Sequence, residues 1–408
     1  MPKLLPTLMD HALNRTLGVY QGLEPRRPNA LVIPRFVVIS ARIPSILAEV
    51  ERHVEVDSLY RPLVLADERT WELAGEALFR ELQAAGLRPR KELIRGNMYA
   101  QAARVIQAMS VPPRVWSDEE HPWERRLYGA KLTGVVFGVG GGTVVDLAKL
   151  ISFQLHIPCI SVPTSLANDG IASPFSVIRP DGPGNVTARA NTPFGVVVDL
   201  GRILPRRPED KPFFLTMMRS GIGDALSNLA STLDWQLAVR FEQEKMDYLA
   251  MLHARSAAEV VLQRILAGAA LEDEELILTL AAGLVSSGEA MGRVGSSRPA
   301  SGFEHKLYHA WQNILEYPSR ATHGVLVGVG TLISLVAHEA DWEPVREGMA
   351  RVGLPVSRRD LEGWGIGWEP LREAIRVSAR VKPERYTILE HLGVEAVLAA
   401  ADRAFVAR

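Results

Sequence analysis

Cysteine is nearly absent: Cys159 is the single one in 408 residues. That excludes an intrachain disulfide framework and most thiolate metal sites. Long apolar runs are lacking as well. No uninterrupted stretch reaches the roughly 20 residues that cross a bilayer, and residues 1–20 have no apolar core of the kind a secretory signal carries. Nor does charge of one sign dominate, since 46 Lys and Arg stand against 47 Asp and Glu. The short Arg26-Arg27 cluster is too small for a nucleic-acid footprint. The expectation is a cytoplasmic protein with no nucleic-acid partner and no membrane insertion, whose two Asn-x-Thr sites carry no meaning. What is present is an apolar fraction of 47% and enough chain for two domains with substantial cores.

Residues 1–34 read as an irregular lead-in with prolines at 25, 28 and 34. From 35 to 205, short apolar runs alternate with amphipathic ones. Strands are expected at 35–40, 62–66, 134–137, 157–162, 175–178 and 195–198. Helices are expected at 43–54, 71–85, 102–109 and after the glycines at 140–142. A proline-rich bridge follows 109, and a turn spans Pro180–Gly184. This alternation predicts a Rossmann-like, largely parallel sheet covered by helices. Composition changes near Pro205-Arg206-Arg207-Pro208. Long runs of Ala, Leu and Glu then predict helices at 213–237, 242–268, 272–294, 303–314, 323–340 and 370–381. The fold class is α/β followed by an all-α domain at 206–408, and polar clefts between domains are common ligand sites.

Two constellations carry chemistry. Phe137-Gly138-Val139-Gly140-Gly141-Gly142-Thr143 joins an apolar strand to a helix. Glycine lets a ligand approach the main chain, and a helix N-terminus attracts a diphosphate. Thr143 could cap the helix or donate to a phosphate. The pattern lacks the third glycine of G-x-G-x-x-G, so an ordinary glycine-rich turn remains an alternative at this point. The second constellation is Asp224, His305 and His323, with His309 nearby. One carboxylate and two imidazoles can bind a divalent cation and leave a position open for substrate. By spacing alone, His305 and His309 at i and i+4 form an equal pair, and ordinary polar residues near helix ends are a further alternative.

From about residue 35 onward the chain resembles the superfamily of dehydroquinate synthase and the iron-containing, glycerol-type alcohol dehydrogenases, most closely its glycerol-1-phosphate dehydrogenase branch. Five ordered motifs carry the likeness. They are Asp67-Glu68-Arg69-Thr70, the run from Gly140 to Lys149, and Val162-Pro163-Thr164 with Asp169-Gly170-Ile171-Ala172-Ser173-Pro174. Gly221-Ile222-Gly223-Asp224 and Ser297 to His305 with His323-Gly324 complete the set.

The resemblance implies a cofactor, NAD or NADP, with its diphosphate on Gly140, Gly141, Gly142 and Thr143. Asp67 would lie near the adenine-side ribose, Arg69 could sit near a 2'-phosphate, and Thr164 and Leu166 would touch the adenine and ribose. Asp146 and Lys149 would border the cofactor or cleft. Asp224, His305 and His323 would ligate one divalent metal, zinc first, with nickel and iron as alternatives. Asp169 would sit beside the metal and substrate, and His309 would either support a ligand from behind or face substrate, rather than ligate. Lys149 and Arg298 are candidates for a substrate phosphate. The implied reaction moves a hydride between NAD(P)H and C2 of dihydroxyacetone phosphate, giving sn-glycerol 1-phosphate. A different polyol or keto-sugar phosphate, or a sugar phosphate cyclisation, are the alternatives. A homo-oligomer is implied too. Phe303 replaces a small or polar residue of the family's motif, which predicts a reshaped pocket.

Overall fold

The computed structural model describes residues 33–53, 62–95, 98–109, 134–155, 157–178 and 185–406. The lead-in through residue 32, most of the proline-rich bridge and the Pro180–Gly184 turn lie outside them. The chain forms two compact units. One takes residues through Ser165 together with Gly170–Ile203, and the other takes Leu166–Asp169 together with Leu204–Arg408.

The first unit holds the strands β1 (Phe36–Ser40), β2 (Pro62–Ala66), β3 (Arg90–Leu93), β4 (Val135–Gly140), β5 (Cys159–Pro163), β6 (Phe175–Ile178), β7 (Val186–Arg189) and β8 (Gly195–Asp199). Six of them form a parallel sheet in the order β1-β8-β5-β4-β2-β3. β6 stays out of that sheet and pairs antiparallel with β7. The helices are α1 (Ile46–Glu51), α2 (Glu76–Ala84), α3 (Met98–Met109) and α4 (Gly142–Leu155).

The central strands are buried on both faces, as parallel sheets are. Val64, Ala66, Phe137, Val139 and Val162 pack with Ile46 and Val50 of α1 and Leu78 and Leu82 of α2. Leu63, Leu65, Val136 and Cys159 pack on the other face with Leu147, Ala148 and Ile151 of α4 and Val105 of α3. Burial pushes the Cys159 thiol up to about 12, with Lys149 opposing it, so a structural, unreactive thiol fits the strand it stands in.

Two strands escape the sequence pattern. β3 reads Arg-Lys-Glu-Leu and is an edge strand, where one ladder partner is enough and polar side chains are tolerated. β7 is a short half-buried strand with no apolar run.

The second unit is helical: α5 (Lys211–Phe241), α6 (Tyr248–Leu266), α7 (Glu274–Val294), α8 (Phe303–His309), α9 (His323–Ala337), α10 (Glu343–Arg351), α11 (Arg358–Gly363), α12 (Trp368–Val377), α13 (Ile388–Leu392) and α14 (Val394–Ala404). The run expected from 242 starts as a helix only at Tyr248, because Asp247 caps it by accepting from the Leu249 and Ala250 N–H groups. The run expected over 303–314 changes after His309 into a π-helical turn, Ala310–Ile314, a local widening common at functional sites. Helices α10, α11, α13 and α14 were not among the expected runs. No helix among the described residues is long and apolar enough to cross a membrane.

The middle of α5 is buried all round, from Ser220 to Thr232. Its glycines explain how. A Cβ on Gly223 would lie 2.1 Å from Gly324 O, and one on Gly324 would lie 1.7 Å from Ser220 O. Helices α5 and α9 therefore touch backbone to backbone, with the Gly324 N–H also donating to Ser220 Oγ at 3.2 Å.

Candidate functional site

In the first unit, the chain leaves β2 toward the edge strand β3 and leaves β4 the other way, toward β5. The strand order reverses between β2 and β4, and open α/β sheets bind ligands outside the carboxyl ends of the strands at such a point. Asp67 follows β2 there, and Gly140 to Thr143 follow β4. A Cβ on Gly138 would meet Ala148 Cβ at 2.7 Å, and one on Gly140 would meet Val144 Cγ2 at 2.5 Å. These two glycines let α4 lie directly against its strand. Gly141 faces only Ser165 Oγ, at 3.3 Å. Helix α4 starts at Gly142, with Val144 and Val145 N–H both donating to Gly141 O. The N–H groups before them have no intrahelical partner, and Thr143 is exposed beside them. Unpaired N–H groups at a helix start attract anions. Asp67 caps the following turn: Oδ1 accepts from Thr70 N–H at 2.7 Å, and its own N–H donates to Thr70 Oγ1. Thr164 is buried at the end of β5, where its N–H donates to Gly140 O.

Four expected site residues are corrected. Lys149 is fully buried. Its ammonium pairs with Asp146 at 2.8 Å and donates to Gly170 O, Ser173 O and Phe175 O. Asp146 Oδ2 in turn accepts from Val177 N–H. The pair is a clamp that holds the 170–177 segment onto α4. Lys149 has no donor to offer a substrate, and Asp146 presents its carboxylate inward rather than to a cofactor. Leu166 is 1% exposed, so its side chain gives a cofactor no surface. Its carbonyl is what a Cβ on Gly221 would strike, at 2.0 Å. Arg298, the other candidate for a phosphate, makes a two-point pair with Glu244 at 2.9 and 2.8 Å and donates to Tyr386 O. Phe303 is fully buried, so its ring lines no open surface.

In the second unit, Asp224, His305 and His323 converge, and their ligand atoms all lie within 4.8 Å of one another. Asp224 Oδ1 stands 3.1 Å from His323 Nε2 and 3.7 Å from His305 Nε2. Donors held at zinc–ligand distances around a tetrahedral ion are separated by roughly 3.3 Å, so the spacing fits a divalent cation. His309 is not in the group, and the choice left open by spacing falls to the pair from α8 and α9. His309 instead lies 3.4 Å from Asn313 and edge-on to Tyr308. Burial, then Lys382, holds its ring well below the usual histidine value.

Each ligand is aimed by a neighbour. Asp224 Oδ2 accepts the Asp169 N–H at 2.9 Å, which leaves Oδ1 for the imidazoles. Burial alone would raise this carboxyl. The His323 hydrogen bond, the two imidazoles and the Asp169 N–H outweigh burial and hold it below the ordinary value. Asp169 Oδ2 accepts from Ser287 Oγ at 2.8 Å. His305 Nδ1 meets Glu304 Oε1 at 2.9 Å, and that oxygen already accepts the Gly302 N–H at 2.6 Å. A hydrogen on Nδ1 directed at this oxygen leaves the lone pair of Nε2 for a cation. Burial, then His323, holds the ring down to about 3. Burial, then Asp234, pushes Glu304 up to about 8.

Glu304 stands inside the motif seen in the sequence, but nothing there gave it a part. Adjacent residues on a helix point about 100° apart, so their meeting near the start of α8 is not read from the sequence. Glu304→Gln is expected to bind zinc about 10- to 100-fold more weakly, the effect of disturbing a carboxylate behind a ligating histidine. Chelator competition, with circular dichroism to confirm folding, measures it.

The chain is similar to known proteins along most of its length. The family described as iron-containing alcohol dehydrogenase matches residues 43–206. The glycerol-1-phosphate dehydrogenase [NAD(P)+] of Thermococcus kodakarensis is 32% identical over 365 residues, covering 89% of this chain and 94% of its own. The protein of the same name from Sulfurisphaera tokodaii is 34% identical over 287 residues, 68% of this chain and 75% of its own. Among solved structures, glycerol dehydrogenase from Schizosaccharomyces pombe superposes with a TM-score of 0.63 at 19% identity, over 91% of this chain and 89% of that one, which speaks for the fold.

Proposed function

The chain belongs to the iron-containing alcohol dehydrogenase family, and on that premise we propose that it is a metal-dependent oxidoreductase acting between NAD(P)H and C2 of dihydroxyacetone phosphate, with sn-glycerol 1-phosphate as product. The observation that carries this is the convergence of Asp224, His305 and His323 in a helical unit, in a chain whose relatives carry the glycerol-1-phosphate dehydrogenase name. An aspartate as the metal carboxylate, together with that name, favours the dehydrogenase over the cyclisation alternative.

A divalent cation polarises a carbonyl as a Lewis acid, and a nicotinamide supplies the hydride. This chain's residues do the rest. Gly140, Gly141, Gly142, Thr143 and the first turn of α4 hold the diphosphate. Asp67 accepts from the ribose hydroxyls with the oxygen left over from capping. An acid at that position favours NAD, and Arg69 keeps NADP in use. Asp224, His305 and His323 hold the cation, zinc before nickel or iron, since a set of nitrogen and oxygen donors does not select one metal. Asp169 orients Asp224 through its N–H and turns its own carboxylate to Ser287. The protein works as a homo-oligomer in the cytoplasm.

The test is NADH and NADPH oxidation with dihydroxyacetone phosphate, dihydroxyacetone and larger keto-phosphates, before and after zinc, nickel or iron is restored to chelated protein. The expected result is metal-dependent turnover with dihydroxyacetone phosphate above the other ketones. Turnover of another ketone with none on this one overturns the assignment.

A further inference from the structure

Within the second unit, three cations lie beside the Asp224–His305–His323 cluster: Lys306, Lys382 and Arg385. They differ in what holds them. The Lys306 ammonium is committed, paired with Glu390 at 2.6 Å and donating to Arg385 O at 3.0 Å. Arg385 is pinned at its main chain by that bond, and its Nη1 donates to Ser301 O at 2.6 Å. The segment from Lys382 to Tyr386 is thus stitched to positions on either side of His305.

Lys382 is the exception. Among the described residues no carboxylate stands within ion-pair distance of its ammonium, and Glu384 offsets it only from farther off. Its charge and that of Arg385 both reach the rings of His305 and His309. Its backbone is held at φ 44°, the left-handed region that a residue with a side chain avoids, in a turn closed by the Arg385 N–H on Lys382 O at 2.8 Å. Such conformations persist where the surroundings impose them, often at ligand sites. The cations suggested for a phosphate by sequence, Lys149 and Arg298, each already pair with a carboxylate, Asp146 and Glu244. A half-buried ammonium lacking a close counter-ion, carried with an arginine on one short turn whose segment is bonded to both sides of His305, is complementary to a small dianion.

We propose that Lys382 and Arg385 form the subsite for the phosphate ester of the substrate, a binding role that rests on the reading of the cluster as the carbonyl-binding centre. Lys382 acts as a point charge, and Arg385 adds a second positive charge on the same turn.

Two measurements on the zinc-loaded full-length protein test it. The first is calorimetric titration with inorganic phosphate. The wild type is expected to bind it, Lys382→Ala about 10- to 100-fold more weakly, and Lys382→Arg to recover most of the loss. The second is the ratio of kcat/KM for dihydroxyacetone phosphate over dihydroxyacetone, which is expected to fall in Lys382→Ala by a similar factor. Phosphate affinity indifferent to Lys382, or equal losses on both ketones, overturns the subsite. If the wild type fails to reduce dihydroxyacetone phosphate while phosphate binding still depends on Lys382, the subsite stands and the substrate assignment falls.

Discussion

Asp224→Ala is expected to lose its metal and at least about 10³-fold in kcat/KM, the scale of a Lewis acid worth several kcal/mol of transition-state stabilisation. The reason is that Oδ1 faces both imidazoles, at 3.1 and 3.7 Å. Without it, two neutral rings remain, and two nitrogen donors do not make a three-ligand catalytic site. The same substitution removes the acceptor of the half-buried Asp169 N–H, which costs up to about 1 kcal/mol. A fall in stability would therefore accompany the loss of metal and confuse its cause. Asp224→Asn separates the two. The amide oxygen can still accept from Asp169, so the variant is expected to melt close to the wild type and yet retain no stoichiometric zinc after dialysis. Metal content by atomic emission, the melting temperature and NAD(P)H binding by fluorescence titration read the three quantities. Both variants keeping metal and full activity would remove the cluster from the mechanism.

The parts of the site that sequence reveals are those built from neighbouring residues. Strand β4, the glycines and the first turn of α4 lie within about a dozen positions, and at Gly138 and Gly140 a nearby atom requires glycine. The metal-type cluster is different. Asp224 and His323 stand 99 residues apart, and the resemblance to a family picked them out where spacing left His305 and His309 level. Lys149 misled for a physical reason. A lysine following a phosphate-type loop suggests a phosphate ligand, but Asp146 and Lys149 sit at i and i+3 within Val-Val-Asp-Leu-Ala-Lys-Leu-Ile, whose apolar residues surround the pair in the core. The apolar flanks are the signal that it is internal. Glu304, Lys382 and Arg385 had no signal of their own. Their placement follows from the way α8 begins and from a turn with a left-handed residue, both products of tertiary packing.

Gly324→Ala is expected to be the most damaging single-methyl change in the second unit. A Cβ there would lie 1.7 Å from Ser220 O and 2.6 Å from Ser220 C, both backbone atoms that cannot rotate away. Ordinary overpacking costs about 1–3 kcal/mol. A clash between two helix backbones can be relieved only by separating α5 and α9, so a loss beyond about 4 kcal/mol is expected. Glycine itself disfavours a helix by roughly 1 kcal/mol relative to alanine, so an alanine that fitted would stabilise α9. The damage extends to function, because Asp224 rides on α5 one residue after Gly223, and His323 opens α9 one residue before Gly324. Pushing the helices apart widens the 3.1 Å spacing of the two ligands. Zinc affinity and melting temperature are therefore expected to fall together in Gly324→Ala. Gly363→Ala is the control: nothing lies within 4 Å of its added Cβ, and it is expected to change stability by less than about 1 kcal/mol. A Gly324→Ala protein that melts like the wild type and binds zinc as tightly would show that the close contact of α5 and α9 is not what sets the ligand spacing.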